Sequence, residues 1–211
     1  MDWESVDHPT LHGLWEQAQA ILRELGHSAR LGSFMESDWR LARAARGQAD
    51  YVFDPIGLLL VNPLEHSDDP RTPSKALTFA ATGGDGVHFS LVLREDRPAV
   101  DSPVVMTVPF GAASIILGAD LDEFLGLGMF RGFFRMEYLA SEPEKYAEDY
   151  SVNEPWPEDE SGTRRLLKRF ADGMGLRPWN EVPSRLNQLQ REFSPWLTWE
   201  NEPSGDNNMT F

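Results

Sequence analysis

The spacing of apolar residues changes twice along this 211-residue chain, and that change constrains the fold more than any other feature. From Leu11 to Leu25 apolar residues recur every three or four positions, which predicts an amphipathic helix ending at Gly26. From Val87 to Leu93 they alternate with more polar residues, which predicts a strand with one buried face. The helical spacing then returns from Asp120 onward.

The other segments follow the same order of helices, then strands, then helices. Strands are predicted over 51–53, 57–62, 77–81, 104–108 and 114–117. Helices are predicted over 37–46, after the capping residue Asp120, from Gly132, over 162–173 and over 182–193. Because helices and strands are segregated along the chain, we expect an α+β fold. Its central antiparallel sheet is flanked by N-terminal and C-terminal helices, in one domain spanning 1–211.

Composition excludes several classes of function. The chain has no cysteine, which excludes disulfides, thiolate metal sites and cysteine nucleophiles. Its net charge of −15 argues against binding to nucleic acid or anionic lipid. Neither a signal peptide nor a membrane-spanning apolar stretch is recognisable, so we expect a cytoplasmic protein. No residue pattern predicts a cofactor, and the oligomeric state stays open.

The segment 142–160 concentrates the negative charge, with eight acidic residues and one lysine. Its three prolines predict an exposed loop with a helical turn around 144–150, before a helical C-terminal extension over 161–211. One hypothesis makes this segment a surface for a basic partner, and the other makes it an acidic linker. The partner-binding residues under the first hypothesis are Glu142, Glu144, Tyr146, Tyr150, Glu154, Trp156, Glu158, Asp159 and Glu160.

A glycine-rich stretch lies between two predicted strands. A phosphate-binding loop would need a helix after it, so Gly83, Gly84, Asp85 and Gly86 are interpreted as a structural turn. His88 follows on the more polar face of the next strand, without an orienting partner in the nearby sequence. No catalytic residue is therefore predicted.

Two further patterns involve histidine and tryptophan. His8, His12 and Glu16 have a spacing that could align metal ligands on a helix, but Pro9 places His8 at or before the helix start. We interpret them as a polar helix face and predict no metal site. Tryptophans beside prolines are expected to pin irregular segments to the core, above all in the tail 195–199.

The central region resembles the SUKH superfamily, which includes many bacterial immunity proteins. The resemblance covers about residues 50–140 and rests on four stretches: LTFAATGGDGVHFSL at 77–91, VVMTVP at 104–109, 115–118, and DLDEFL at 120–125. It implies an α+β domain in which a Gly/Asp-rich turn introduces core strands and an EFL helix follows the sheet. It also implies a binding module, without catalysis, that neutralises a toxin, commonly a nuclease.

These observations favour a non-enzymatic, protein-binding module, namely a bacterial immunity or regulatory protein. The expected partner is a basic protein such as a nuclease-type toxin, because an acidic inhibitor associates quickly with a basic surface. Two alternatives stay open: a small-molecule-sensing module, or a hydrolase that uses the turn Gly83–Gly86 and His88.

Overall fold

A five-stranded antiparallel sheet organises the chain, with its strands in sequence order from one edge to the other. The computed structural model describes residues 6–30, 47–83, 85–110, 114–156 and 161–199. The strands are β1 (Leu59–Glu65), β2 (Ala76–Ala81), β3 (His88–Val92), β4 (Val104–Thr107) and β5 (Ile115–Gly118). The expected α+β fold with an antiparallel sheet is therefore confirmed.

Helices precede and follow this sheet, as the apolar spacing predicts. They are α1 (Pro9–Arg30), α2 (Leu121–Gly128), α3 (Tyr138–Ser141), α4 (Pro143–Tyr150), α5 (Ser161–Met174) and α6 (Val182–Phe193). Short 3₁₀ turns lie at Ala49–Tyr51, Asp54–Ile56, Ala99–Asp101, Phe134–Glu137 and Ser194–Trp196. Within the described ranges, no helix is long and apolar enough to cross a membrane.

The main core lies on one face of the sheet and is built around aromatic rings. Phe89 of β3 lies 4.9 Å from Phe124 of α2, measured between ring centroids. Phe124 in turn lies 5.1 Å from Phe133, and Phe133 packs edge-on against Phe170 of α5. Apolar residues of α1 and α5 join this cluster, so helices from both ends of the chain share one core.

The opposite face of the sheet is also covered, which differs from the half-polar strand predicted at 87–93. Val92, Val105 and Ile116 of this face pack against Leu189 and Phe193 of α6, in a second and smaller apolar cluster. Every residue of β3 is buried as a result. Polar residues on this face bond to one another, because a buried hydroxyl needs a partner.

Three local predictions need correction or fall outside the described residues. The strand predicted over 51–53 is wrong, because Val52 and Phe53 pack into the core from a turn that follows a 3₁₀ helix. The stop predicted at Gly26 is also wrong, since α1 continues to Arg30. A glycine costs a helix only about 1 kcal/mol, which packing of the apolar face outweighs. The helix predicted over 37–46 lies outside the described residues.

The start of α2 confirms the predicted cap. Asp120 accepts a hydrogen bond from the backbone N–H of Glu123, at 2.8 Å. The Glu123 carboxylate accepts the backbone N–H of Ala119 at 2.7 Å, and Arg185 donates to both of its oxygens at 2.6 and 3.0 Å. The first turn of α2 is therefore anchored to α6 through one side chain.

The C-terminal tail is docked, as predicted. The Ser74 backbone N–H and hydroxyl both donate to the Thr198 carbonyl, at 2.7 and 3.1 Å. The Trp199 indole N–H donates to the Arg71 carbonyl at 3.0 Å. The Trp196 ring lies under two guanidinium groups, those of Arg94 and Arg97, which hold it by cation–π contacts.

Candidate protein-binding surface

The first part of the acidic segment is a helix, where the sequence predicts an exposed loop with a helical turn around 144–150. The loop prediction is wrong there, and the helical turn is confirmed. Pro143 begins α4, which ends at Tyr150, because proline is favoured in the first turn of a helix. Ala147 and Tyr150 are buried against the core, while Glu144 and Glu148 face solvent. The described part of the segment, up to Trp156, is thus an amphipathic helix followed by irregular chain.

Two predicted anchors of this segment are committed to internal contacts. The Tyr150 hydroxyl is buried and donates to the Gly132 carbonyl at 3.3 Å, and burial raises the pKa of this phenol. The half-buried Trp156 ring is flanked by Arg131 and Arg135, 4.3 and 4.7 Å from its centroid, and its N–H donates to the Arg131 carbonyl at 3.1 Å. Both side chains pin the segment, so the prediction that they anchor a partner is not supported by their placement.

The other predicted partner residues divide by position. Glu142, Glu144 and Glu154 are exposed, and Tyr146 is half-buried. Glu158, Asp159 and Glu160 lie outside the described residues. The described acidic side chains on and before α4 therefore remain available to a partner.

Two exposed aromatic residues that sequence reasoning missed extend this area. Phe134 is 47% exposed and Tyr138 is 39% exposed. The Tyr138 ring stacks on Tyr146 with centroids 4.8 Å apart, and Lys145 Nζ lies 4.7 Å from the Tyr146 centroid. The spacing of Tyr138 and Tyr146 carries no signal for this stack, because α3 ends at Ser141 and the backbone of Glu142 is not helical before α4 begins. We call Tyr138, Glu142 and Tyr146, which are linked by the ring stack and by the contacts of Lys145, the acidic–aromatic surface.

A groove lies beside this surface, between α4 and α6. Its cavity has a volume of about 420 Å³. Ile115 of β5, Ala147 of α4 and Leu186 of α6 supply apolar walls. Glu142, Glu144 and Lys145 lie on the α4 side, so the acidic–aromatic surface and the groove share Glu142.

The groove ends at the edge strand β5, where a side chain occupies the backbone groups. Gln190 Nε2 donates to the Ile116 carbonyl at 2.7 Å, and the Ile116 N–H donates to Gln190 Oε1 at 3.0 Å. This pair reproduces the hydrogen bonds that a sixth strand would make. It closes the β5 edge at this position, which is how native sheets avoid pairing with other chains.

The glycine-rich turn joins β2 to β3. Gly83 and Gly86 have φ of +79° and +76°, and the Thr82 N–H donates to the Val87 carbonyl at 3.0 Å. A Cβ on Gly83 would lie 2.9 Å from Asp54 Oδ1, so glycine is needed there for both conformation and space. Asp85 is exposed, and Gly84 lies outside the described residues.

His88 is buried, which corrects its predicted position on a more polar face. Its side chain is 5% exposed, and Nδ1 lies 2.8 Å from the Gly86 carbonyl. Because a carbonyl only accepts, Nδ1 carries the proton, and Nε2 accepts from the Thr72 hydroxyl at 2.8 Å. Burial lowers the pKa of His88.

The Thr72 hydroxyl, the His88 imidazole and the Gly86 carbonyl are linked in the same order as the nucleophile, base and orienting acceptor of a catalytic triad. However, the Thr72–His88 pair is enclosed. Thr72, in the loop between β1 and β2, is buried as well. Both ring nitrogens of His88 are already occupied, so the pair ties that loop to the sheet. Sequence reasoning missed Thr72 because it lies in an irregular loop, 16 positions from His88.

His8 precedes α1 directly, as Pro9 predicts, but it does not belong to a polar face. The imidazole is 1% exposed, and neither ring nitrogen has a hydrogen-bond partner. Burial lowers its pKa, and the charge of Asp122 opposes that effect. Within the described part of the chain, no group of three or more His, Asp or Glu side chains could hold a metal ion.

The chain matches no protein-family model, no curated protein and no solved structure. The resemblance to the SUKH superfamily therefore stays a prediction. The described features that bear on function are the acidic–aromatic surface and the groove beside it.

Proposed function

We propose that this protein is a non-enzymatic binding module that captures a basic protein partner through the acidic–aromatic surface. In this proposal the protein neutralises a toxin, of the nuclease type, or regulates a basic protein. The observation that carries it is the stack of Tyr138 on Tyr146, with Lys145 over the Tyr146 ring and paired with Glu142. Aromatic rings supply contact area and attract cations, and carboxylates favour a basic partner.

The stacked pair Tyr138 and Tyr146 illustrates how such a surface holds a cation. The Lys145 ammonium already lies over the Tyr146 ring, 4.7 Å from its centroid, and pairs with Glu142 at 2.9 Å. A lysine or arginine of a partner would find the same combination of ring and carboxylate. Because both partners of this ion pair are solvent-exposed, displacing Lys145 costs little free energy.

The charge of the whole chain supports the same partner class. A net charge of −15 attracts a basic protein over long range and accelerates its association at low salt. A nuclease presents positive charge where it binds phosphate, and an acidic module that covers this charge would block its substrate. The same field disfavours nucleic acid as a direct ligand.

Burial of the two most suggestive imidazoles favours binding over catalysis. His88 is enclosed with Thr72, and His8 is covered at the start of α1. A general base has to come within hydrogen-bond reach of a substrate proton, which an enclosed imidazole cannot do without rearrangement. This consideration supports the non-enzymatic role.

Selection from a random peptide library displayed on phage tests the proposal. We expect the protein to enrich lysine- and arginine-rich peptides with interspersed aliphatic or aromatic residues. The double substitution Glu142→Gln/Glu144→Gln should weaken the binding of the enriched peptides by about fivefold or more, because two attractive charges are lost. The matched control is Glu65→Gln/Asp101→Asn, which removes the same charge from exposed positions elsewhere. Equal binding by both double variants, or no enrichment of basic peptides, would contradict the proposal.

A further inference from the structure

We infer that the groove between α4 and α6 receives an aliphatic side chain of the basic partner, together with the lysine or arginine next to it. This inference rests on the proposed function and names the kind of segment that is recognised. The occupant of the groove is a protein segment in which apolar residues lie next to, or within a few positions of, basic residues. The acidic–aromatic surface then binds charge, and the groove distinguishes one basic segment from another.

The apolar walls indicate what the inner part of the groove holds. Ile115, Ala147 and Leu186 come from three different elements and converge on one cavity of about 420 Å³. A volume of this size accommodates aliphatic side chains, and transferring them from water to an apolar wall is favourable. A hydrophilic basic segment would leave these walls without contacts.

The carboxylates indicate what lies at the mouth of the groove. Glu142 and Glu144 are exposed on the α4 side, and the uncharged Asn187 lies on the α6 side. The lining also includes Lys145, which is exposed and pairs with Glu142 at 2.9 Å. The two carboxylates outnumber this ammonium, so a cation that follows the inserted aliphatic side chain is attracted and takes the place of Lys145 beside Glu142. Charge complementarity therefore selects a basic neighbour over an acidic one.

The walls are fixed before a partner arrives. Pro143 and Pro183 lie in the first turns of α4 and α6, where proline restricts the backbone, and both line the groove. A cavity with restricted walls loses little conformational entropy when it is filled.

The mode of binding follows from the closed edge of β5. Gln190 occupies the outward N–H and carbonyl of Ile116, so an incoming strand cannot pair there unless this amide is displaced. The partner is therefore recognised by inserted side chains and not by strand addition.

A pair of neighbouring substitutions on α6 tests the inference. Asn187→Trp places a large side chain in the groove, whereas Gln188→Trp adds the same ring at an exposed position outside it. Both variants should keep the wild-type circular dichroism spectrum and melting temperature within a few degrees. Asn187→Phe replaces the tryptophan variant if that variant fails to fold.

Two synthetic peptides of equal charge serve as probes, Lys-Leu-Leu-Lys-Leu-Leu-Lys and Lys-Ser-Ser-Lys-Ser-Ser-Lys. We expect the leucine peptide to bind the wild type and Gln188→Trp alike, and to bind Asn187→Trp about tenfold more weakly, because one or more leucine side chains lose their apolar contacts. The serine peptide should bind all three proteins weakly and equally, and should be released by salt.

The outcomes separate the two proposals. Equal binding of the leucine peptide to Asn187→Trp and Gln188→Trp would overturn the groove inference and leave the acidic–aromatic surface in place as a binding site. Failure of both peptides to bind the wild type at low salt would instead contradict the proposed function. Tight binding of the serine peptide that Asn187→Trp abolishes would show that the groove recognises charge alone, and this too would overturn the inference.

Discussion

The two faces of the central sheet are both buried, yet they are stabilised in different ways. On the α1 side, Phe89, Phe124 and Phe133 form one apolar aromatic cluster. On the α6 side, the apolar cluster covers one part of the face, and hydroxyl groups and an imidazole occupy the other. Thr78 and Ser90 bond to each other there at 2.8 Å, directly opposite in the β2–β3 register.

Burial alone therefore does not tell how a residue contributes to the free energy of unfolding. The aromatic face gains stability from area removed from water and from close packing. The polar part of the other face gains little net free energy from each hydrogen bond, but it loses much if one partner is left alone. Substitutions on the aromatic face should therefore cost more free energy of unfolding than substitutions in the polar part of the other face.

Truncation at the centre of the aromatic cluster should have the largest effect. Phe124→Ala removes a fully buried ring that contacts Phe79, Phe89 and Phe133. We expect a loss of about 3–5 kcal/mol in the free energy of unfolding, because the cavity cannot close completely. Urea unfolding measures it, and a loss below about 1 kcal/mol would mean that the cluster is not the main core.

Removing the imidazole on the other face should have an intermediate effect. His88→Ala leaves the Thr72 hydroxyl and the Gly86 carbonyl without their partner, so we expect a loss of about 1–3 kcal/mol. The double variant Thr72→Val/His88→Ala should lose less than the sum of the two single losses, since the hydrogen bond between them is then counted once. Strict additivity in a double-mutant cycle would contradict a direct coupling.

The turn between β2 and β3 should respond to a single methyl group. Gly83→Ala places a Cβ at positive φ and close to Asp54, and we expect a loss of roughly 1 kcal/mol or more in thermal melts. Gly13→Ala is a suitable control, because Gly13 lies within α1 and its added Cβ would make only an ordinary contact with Met174. A Gly83→Ala variant that melts like the wild type would remove the structural role of the turn.

The smallest effect should be a dependence of the free energy of unfolding on pH, to which both buried histidines contribute. Burial lowers the pKa of His8 and of His88 from 6.5, so below this pH the unfolded chain binds more protons than the folded one. Their contribution to stability is therefore complete above 6.5 and is lost as the pH falls through the interval down to each lowered pKa. His8 has no hydrogen bond to lose, so His8→Leu should leave stability at neutral pH unchanged or higher and should reduce the loss on acidification.

Urea titrations of the wild type and of His8→Leu across this pH range measure the difference. His66→Leu is the control, because His66 is exposed and lies outside α1. An identical pH dependence in His8→Leu and the wild type would show that His8 does not titrate differently in the folded and unfolded states.

Local pattern alone determined much of the architecture. The limits of α6, the cap of α2 and the strands β2 to β5 follow from the spacing of apolar residues and from capping chemistry. These features depend on neighbours within one or two turns of the chain, where helix and strand geometry relates sequence spacing directly to a face. The order of elements was therefore enough to predict the α+β class.

Which polar and aromatic side chains are buried depends on contacts between residues far apart in the chain. Gln190 meets Ile116 across 74 positions and Thr72 meets His88 across 16, so neither pair has a local signature. Tyr150 is buried and Tyr138 is exposed, although both are tyrosines in helical segments of one region. The reason is that long-range packing sets which side of an element faces the core, and it also creates the groove between α4 and α6.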